Sequence, residues 1–169
     1  MSQMNVKRIN RLLSTLYFKM RTMEDDGRDL PVRWNVMHMY TSQQLAKLIA
    51  LKRGMDMETA ALAAALHDIT VIVTGRTERH AELAEPYLRE IIHEFNTNSK
   101  PDFPKISAEE ADFIINAVIQ HSDKGNYTEE PFTELLKDVD SIDRFLLGIK
   151  SEGAYLERSL RVLKELGIE

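Results

Sequence analysis

The sequence predicts an all-α helical bundle. Every long segment repeats its apolar residues three and four positions apart, and no segment alternates apolar and polar residues with a period of two. Polar stretches carrying Gly or Pro interrupt the chain about once per helix length. A chain of 169 residues has room for one domain with a substantial core, and no repeat, low-complexity run or linker divides it.

Met1 to Met23 has no acidic residue but carries Lys7, Arg8, Arg11, Lys19 and Arg21. Val6, Ile9, Leu12, Leu13, Leu16, Tyr17 and Met20 form a helical stripe, which predicts a first helix packed on the domain. A cleaved transit peptide has a similar composition, whereas the charges interrupt any secretory signal. Glu24 to Pro31 reads as a polar turn. The second helix is expected from about Asn35 to Arg53, with His38 in its first turns, an apolar face at Leu45, Leu48 and Ile49, and Gly54 as its stop.

The chain is organised around the next helix, from Asp56 or Met57 through Ala60–Val73. Its Ala-rich run favours helix and lets neighbouring helices approach closely, so it should be buried on most sides. His67 and Asp68 sit near its end, and an imidazole and a carboxylate are costly in such a place unless paired or bound to metal. After Gly75 a fourth helix is expected from Thr77 to Phe95, with His80 in its first turn. Asn96 to Lys105 is the clearest loop. Ser107 followed by Glu110 is a capping-box pattern opening a helix that runs into His121, with Phe113, Ile114, Ala117 and Val118 as its apolar face. Ser122 to Pro131 is rich in turn formers. Phe132 to Ile149 is helical on a stripe of Leu135, Val139, Ile142, Leu146 and Ile149, and a last helix covers Ser151 to about Leu166.

Composition narrows the function. A net charge of −5 argues against a non-specific nucleic-acid binder. The absence of Cys excludes disulfides and thiolate metal sites and makes a reducing cytoplasm the expectation. No apolar run approaches the roughly 20 residues of a membrane span. The polar residues that break the apolar faces are His38, His67 with Asp68, His80, His121 and Asp140 or a neighbour, each set on a different helix. Bundles build metal sites from such inward-facing residues. Imidazole with carboxylate and no sulfur suits Mn, Fe, Co, Ni or Zn. Alternatively, each His is a surface or core-edge residue, and Asp138, Asp140 and Asp143 are the wet face of an acidic helix.

Together these residues resemble a known family. RWNVMHMYTSQQLAKLIA with His38, AALAAALHD with His67 and Asp68 29 positions on, and LKDVDSIDRF are similar to the motifs of the HD-domain superfamily of metal-dependent phosphohydrolases. The resemblance covers about Arg33 to Ile149. It implies an HD-type bundle in one domain over 1–169, with an N-terminal helix and turn at 1–31, the HD core at 33–149 and a C-terminal helix at 150–169. It places the last ligand at Asp140, beside His38, His67 and Asp68. It further implies one or two divalent ions per chain, of Mn, Fe, Co, Ni, Mg or Zn.

His80 in RHAELAEPYLREII and His121 in AVIQHSDK look like the auxiliary ligands of the dinuclear members. Otherwise His121 touches substrate phosphate and His80 is a surface helix cap. His93 matches nothing in the family and reads as surface. The departures are Ile69-Thr70 after the His-Asp pair, Ser122 where some relatives have a second His, and no Glu-Asp pair of the alarmone-hydrolase kind. The long insertions of the dNTP triphosphohydrolases are also absent.

What the resemblance implies is hydrolysis of a nucleotide or other small phosphoester by metal-activated water. Asp68 would ligate the metal, bridging if there are two, and accept a proton. Arg33, Arg76, Arg79 and Lys124 are the candidate cations for substrate phosphate, and Arg33 and Lys124, nearest the proposed ligands in sequence, are the first choices for a catalytic role. The other function classes are a non-catalytic HD module that binds nucleotide or metal, and a diiron oxygenase. A homodimer is compatible with the sequence; a membrane is not part of the expectation.

Overall fold

The computed structural model describes residues 6–168, so the expectations for Met1 to Asn5 lie outside the described residues. Those residues form eight helices and no strand: α1 (Lys7–Met20), α2 (Val32–Lys52), α3 (Met57–Leu66), α4 (Ile69–Thr74), α5 (Glu85–Thr97), α6 (Ala108–Gln120), α7 (Pro131–Leu146) and α8 (Gly153–Leu166). The predicted all-α class is what the chain adopts.

Helix α3 is the centre, packed against α1, α2, α6 and α7. Ala60 to Ala65 are all buried, and the small side chains let four helices close on one axis. Asp56 opens α3 by accepting from the Thr59 amide at 2.7 Å. The stretch Met57–Thr74 is long and apolar enough to span a membrane by composition, which the sequence expectation had overlooked, but 78% of it is buried inside this fold.

Two ionic knots fasten the outer helices. Arg8 on α1 pairs with Glu58 on α3 at 2.8 Å and with Glu110 on α6 at 2.5 Å. Glu110 also accepts from Thr59. Its carboxylate is therefore committed to α1 and α3, and of the capping-box pattern only the Ser107 half forms, accepting from the Glu110 amide at 3.1 Å. At the other end the buried Asp138 accepts from Arg53, Arg158 and Arg161 at 2.7, 2.8 and 2.6 Å, joining α7 to α2 and α8.

Several expected boundaries move. The central helix is interrupted by a turn at His67-Asp68, where Asp68 leaves helical geometry (φ −100°, ψ 22°) before α4 begins. The predicted Thr77–Phe95 helix starts only at Glu85, with Pro86 in its first turn, and Thr77 to Ala84 runs as successive turns with Arg79 at φ 50°. His80 thus stands on a turn rather than a helix. Leu48, Phe113, Tyr17, Leu146 and Ile149 are exposed, so the buried stripes are narrower than expected. Asp138, Asp140 and Asp143 are buried, which overturns the wet-face alternative for α7.

Candidate metal centre

Five segments meet at one place. α2 brings His38 from its second turn, and the α3–α4 turn brings His67 and Asp68. The Thr77–Ala84 turns bring His80, the C-terminal end of α6 brings His121, and α7 brings Asp140. The break at His67-Asp68 has a geometric use. A continuous helix points consecutive side chains about 100° apart, whereas the turn lets both residues face the same cluster.

Each imidazole is held by its Nδ1. His38 Nδ1 donates to Asp143 Oδ2 at 2.5 Å, His67 to the Ala64 carbonyl at 2.7 Å, His80 to the Thr77 carbonyl at 2.8 Å and His121 to the Val118 carbonyl at 2.7 Å. With Nδ1 as the donor in each ring, every Nε2 faces the interior and offers its lone pair once the ring is neutral. Those lone pairs converge: His38 and His67 Nε2 are 3.0 Å apart, and His80 and His121 Nε2 are 3.2 Å apart.

Asp68 faces both pairs. Its Oδ2 lies 3.7 Å from His38 Nε2 and 3.6 Å from His67 Nε2. Its Oδ1 lies 3.2 Å from His80 Nε2 and 3.9 Å from His121 Nε2. Asp140 Oδ1 joins the first pair, 3.2 Å from His38 and 3.7 Å from His67. Facing acceptors at such distances repel unless a proton or a cation lies between them. Donors bonded to one first-row ion at about 2.1 Å each stand about 3 Å or more apart. The groups His38–His67–Asp68, His67–His121–Asp140 and Asp68–His80–His121 could each hold an ion, and the donor set fits one.

Burial sets the charges. It lowers the His38 imidazole, but hydrogen bonds to Asp140 and Asp143 outweigh it and push the group up to about 10. Burial would raise the Asp68 and Asp140 carboxyls. Asp68 is instead held far below the carboxylate range by His67, His80 and His38, and Asp140 by Lys124 first and then His38 and His67. His121 is pushed well down by burial and by the Lys124 charge, so it is ready as a neutral ligand. Burial lowers His80 too, but Asp68 more than compensates and raises it. The cluster opens on one side: Asp68 and His80 keep 16% and 21% of their side-chain surface, against 1–8% for the other four donors. That side faces a cleft of about 510 Å³ lined by His80, Ser122, Asn126 and Tyr155.

The candidate cations are distributed differently. Lys124 is buried, donates to Asp140 Oδ2 at 2.6 Å and to the His121 carbonyl, and lies 5.1 Å from the Tyr155 ring centre. Arg76 pairs with Asp29 at 3.0 Å, and Arg79 with Glu82 at 2.7 Å. Arg33 is exposed, and no hydrogen bond or ion pair joins it to the cluster. Two residues beside the donors escaped the sequence reading. Asp143 fixes His38, and its signal was the i,i+3 spacing from Asp140, which puts both carboxylates on one face of α7. Trp34, one turn before His38, stacks on the His38 ring at 5.5 Å.

The HD domain family matches residues 35–147, the span that carries every donor of the cluster. Curated proteins and solved structures give no match to this chain.

Proposed function

The chain belongs to the HD-domain family, and from that premise we propose that it is a metal-dependent phosphohydrolase acting on a nucleotide or another small phosphoester. The observation that carries this reading is Asp68, which presents one oxygen to each of two His pairs and keeps 16% of its side-chain surface beside His80, a residue of the adjacent cleft.

His38, His67, Asp68 and Asp140 would hold one ion, and Asp68, His80 and His121 a second. A divalent ion in such a site supplies a nucleophile near neutral pH by lowering the pKa of bound water, and screens the phosphate charge. The protein does the rest. Asp143, Ala64, Thr77 and Val118 pin the four rings, so no ligand need rotate when substrate arrives. Lys124 is a positioning residue, keeping Asp140 ionised and oriented. Asp68 would also accept the proton of the attacking water. The cleft has the volume of a small-ligand site.

The test is turnover of p-nitrophenyl phosphate and a nucleotide panel with added Mn, Co, Ni, Mg or Zn. Asp68→Ala should lose most bound metal and nearly all activity. A variant that keeps both ends the phosphohydrolase reading, and stable metal binding with no turnover leaves a binding module. The two-lobed donor set also favours a diiron oxygenase, for which oxygen consumption and a mixed-valent iron signal are the marks.

A further inference from the structure

A phosphoester needs cationic partners, and the cations near the cluster are already engaged. Lys124 is held by Asp140, Arg79 by Glu82 and Arg76 by Asp29. Arg158 is held by Glu134 and Asp138, and Lys137 by Glu134. Arg144 differs. Among the described residues its side chain makes neither an ion pair nor a hydrogen bond, and the ring of Tyr155 lies 5.8 Å from its guanidinium carbon.

Tyr155 joins this free charge to the metal centre. Its ring lies 5.1 Å from Lys124 Nζ, which bonds Asp140. It lines the cleft that contains His80 and Ser122, and also a second cleft of about 220 Å³ that contains Arg144, Lys150 and Ser151. In that second cleft Lys150 is paired with Glu152, which leaves Arg144 as the available cation. The Tyr155 hydroxyl has no partner among the described residues. Burial, with the Asp140 charge, pushes it up to about 12, so it remains a donor at neutral pH. Arg33 lines neither cleft.

Resting on the phosphohydrolase reading, we infer that Arg144 and Tyr155 form an anion subsite one side chain away from the metal cluster, and that the substrate is a small phosphoester carrying a second anionic group. The scissile phosphate occupies the His80 cleft. The second group, a phosphate or a carboxylate, crosses the Tyr155 ring to the Arg144 guanidinium, whose fork matches either anion with two hydrogen bonds. Tyr155 donates the third.

Calorimetric titration of the metal-loaded full chain tests this. The probes are alkane α,ω-bisphosphonates and ω-phosphonocarboxylates of one to six carbons, each against the alkylphosphonate of the same length. The wild type should bind a two-anion probe of one length about tenfold more tightly than its one-anion partner, the size of a charge-assisted contact. Whether the bisphosphonate or the phosphonocarboxylate leads identifies the second group. Arg144→Gln, which breaks no ion pair and so leaves the fold intact, should bring the ratio close to one with metal content per chain unchanged. Tyr155→Phe should reduce it by a smaller factor. No preference at any length, or a preference that survives Arg144→Gln, overturns the subsite. An Arg144-dependent preference without turnover of any phosphoester removes the hydrolase reading and keeps the subsite. Turnover with an Arg144-independent ratio does the reverse.

Discussion

His38 shows how much chemistry one side chain carries. Its Nδ1 is tied to Asp143, its Nε2 faces His67 and Asp140, and the two carboxylates keep it protonated up to about pH 10 in the metal-free chain. A metal needs the neutral ring, so binding must displace that proton. The raised value stabilises the metal-free fold below the ordinary histidine value of about 6.5, and this contribution is lost as pH rises through 10. Metal affinity has the opposite slope and should rise about tenfold per pH unit between 7 and 9, which competition with a calibrated chelator measures. A flat profile would mean that His38 is already neutral without metal. Asp143→Asn keeps the shape but weakens the acceptor, and metal affinity should fall about 10- to 100-fold with far-ultraviolet circular dichroism unchanged. Unchanged affinity would leave Asp143 as an ordinary buried carboxylate. His38, His67, Asp68 and Asp140 could be named from the sequence because residue type, order and spacing carry the resemblance. Asp143 was readable only as a carboxylate on the face of Asp140, since its partner comes from α2, and Tyr155 was not readable at all, because its role depends on how α8 packs near Lys124.

At the level of elements, periodicity located most helices, and the errors fell where a turn interrupts an otherwise helical pattern. Ile69 to Val73 continues the apolar run of α3, and nothing local marks the break at His67-Asp68. That break is fixed by tertiary contacts of the His67 and Asp68 side chains, which composition cannot report. Pro86 did mark the true start of α5, since Pro favours a helix's first turn, but the apolar residues before it drew the expected helix back to Thr77. The end of α4 depends on Gly75. Its φ is +75°, and a Cβ there would lie 2.9 Å from Arg28 Cγ. Arg28 in turn donates to the Val71 and Ile72 carbonyls at 2.6 and 2.9 Å, closing the helix end. Gly75→Ala should therefore cost about 1–2 kcal/mol, read as a lower urea midpoint at unchanged slope. An unaltered midpoint would show that the Arg28 closure yields without cost. Ser107→Ala should cost about 1 kcal/mol through the lost cap on α6.

Taken as a whole molecule, the cluster draws on five segments spread from residue 38 to residue 140, so metal binding and folding must be linked. An ion that binds only the folded chain raises the melting temperature in proportion to its affinity and concentration. Two ions would act on different parts of the structure. One in the His38–His67–Asp68–Asp140 lobe joins α2 to α7 through the α3–α4 turn. One in the Asp68–His80–His121 lobe ties the Thr77–Ala84 turns to the end of α6. If both lobes fill, His80→Ala or His121→Ala should drop the metal count toward one per chain while leaving the first ion in place. Each should also remove only the share of metal-induced stabilisation that belongs to the turn segment. His38→Ala should empty the first lobe instead. In a mononuclear centre His121 faces the substrate phosphate, so its loss would weaken binding or turnover without altering metal content, and His80→Ala would have little effect. Elemental analysis beside thermal melts, for the wild type and the three variants, separates the two cases. A wild-type count of one that neither His80→Ala nor His121→Ala lowers, with Mn or Fe in excess, would rule out the second ion.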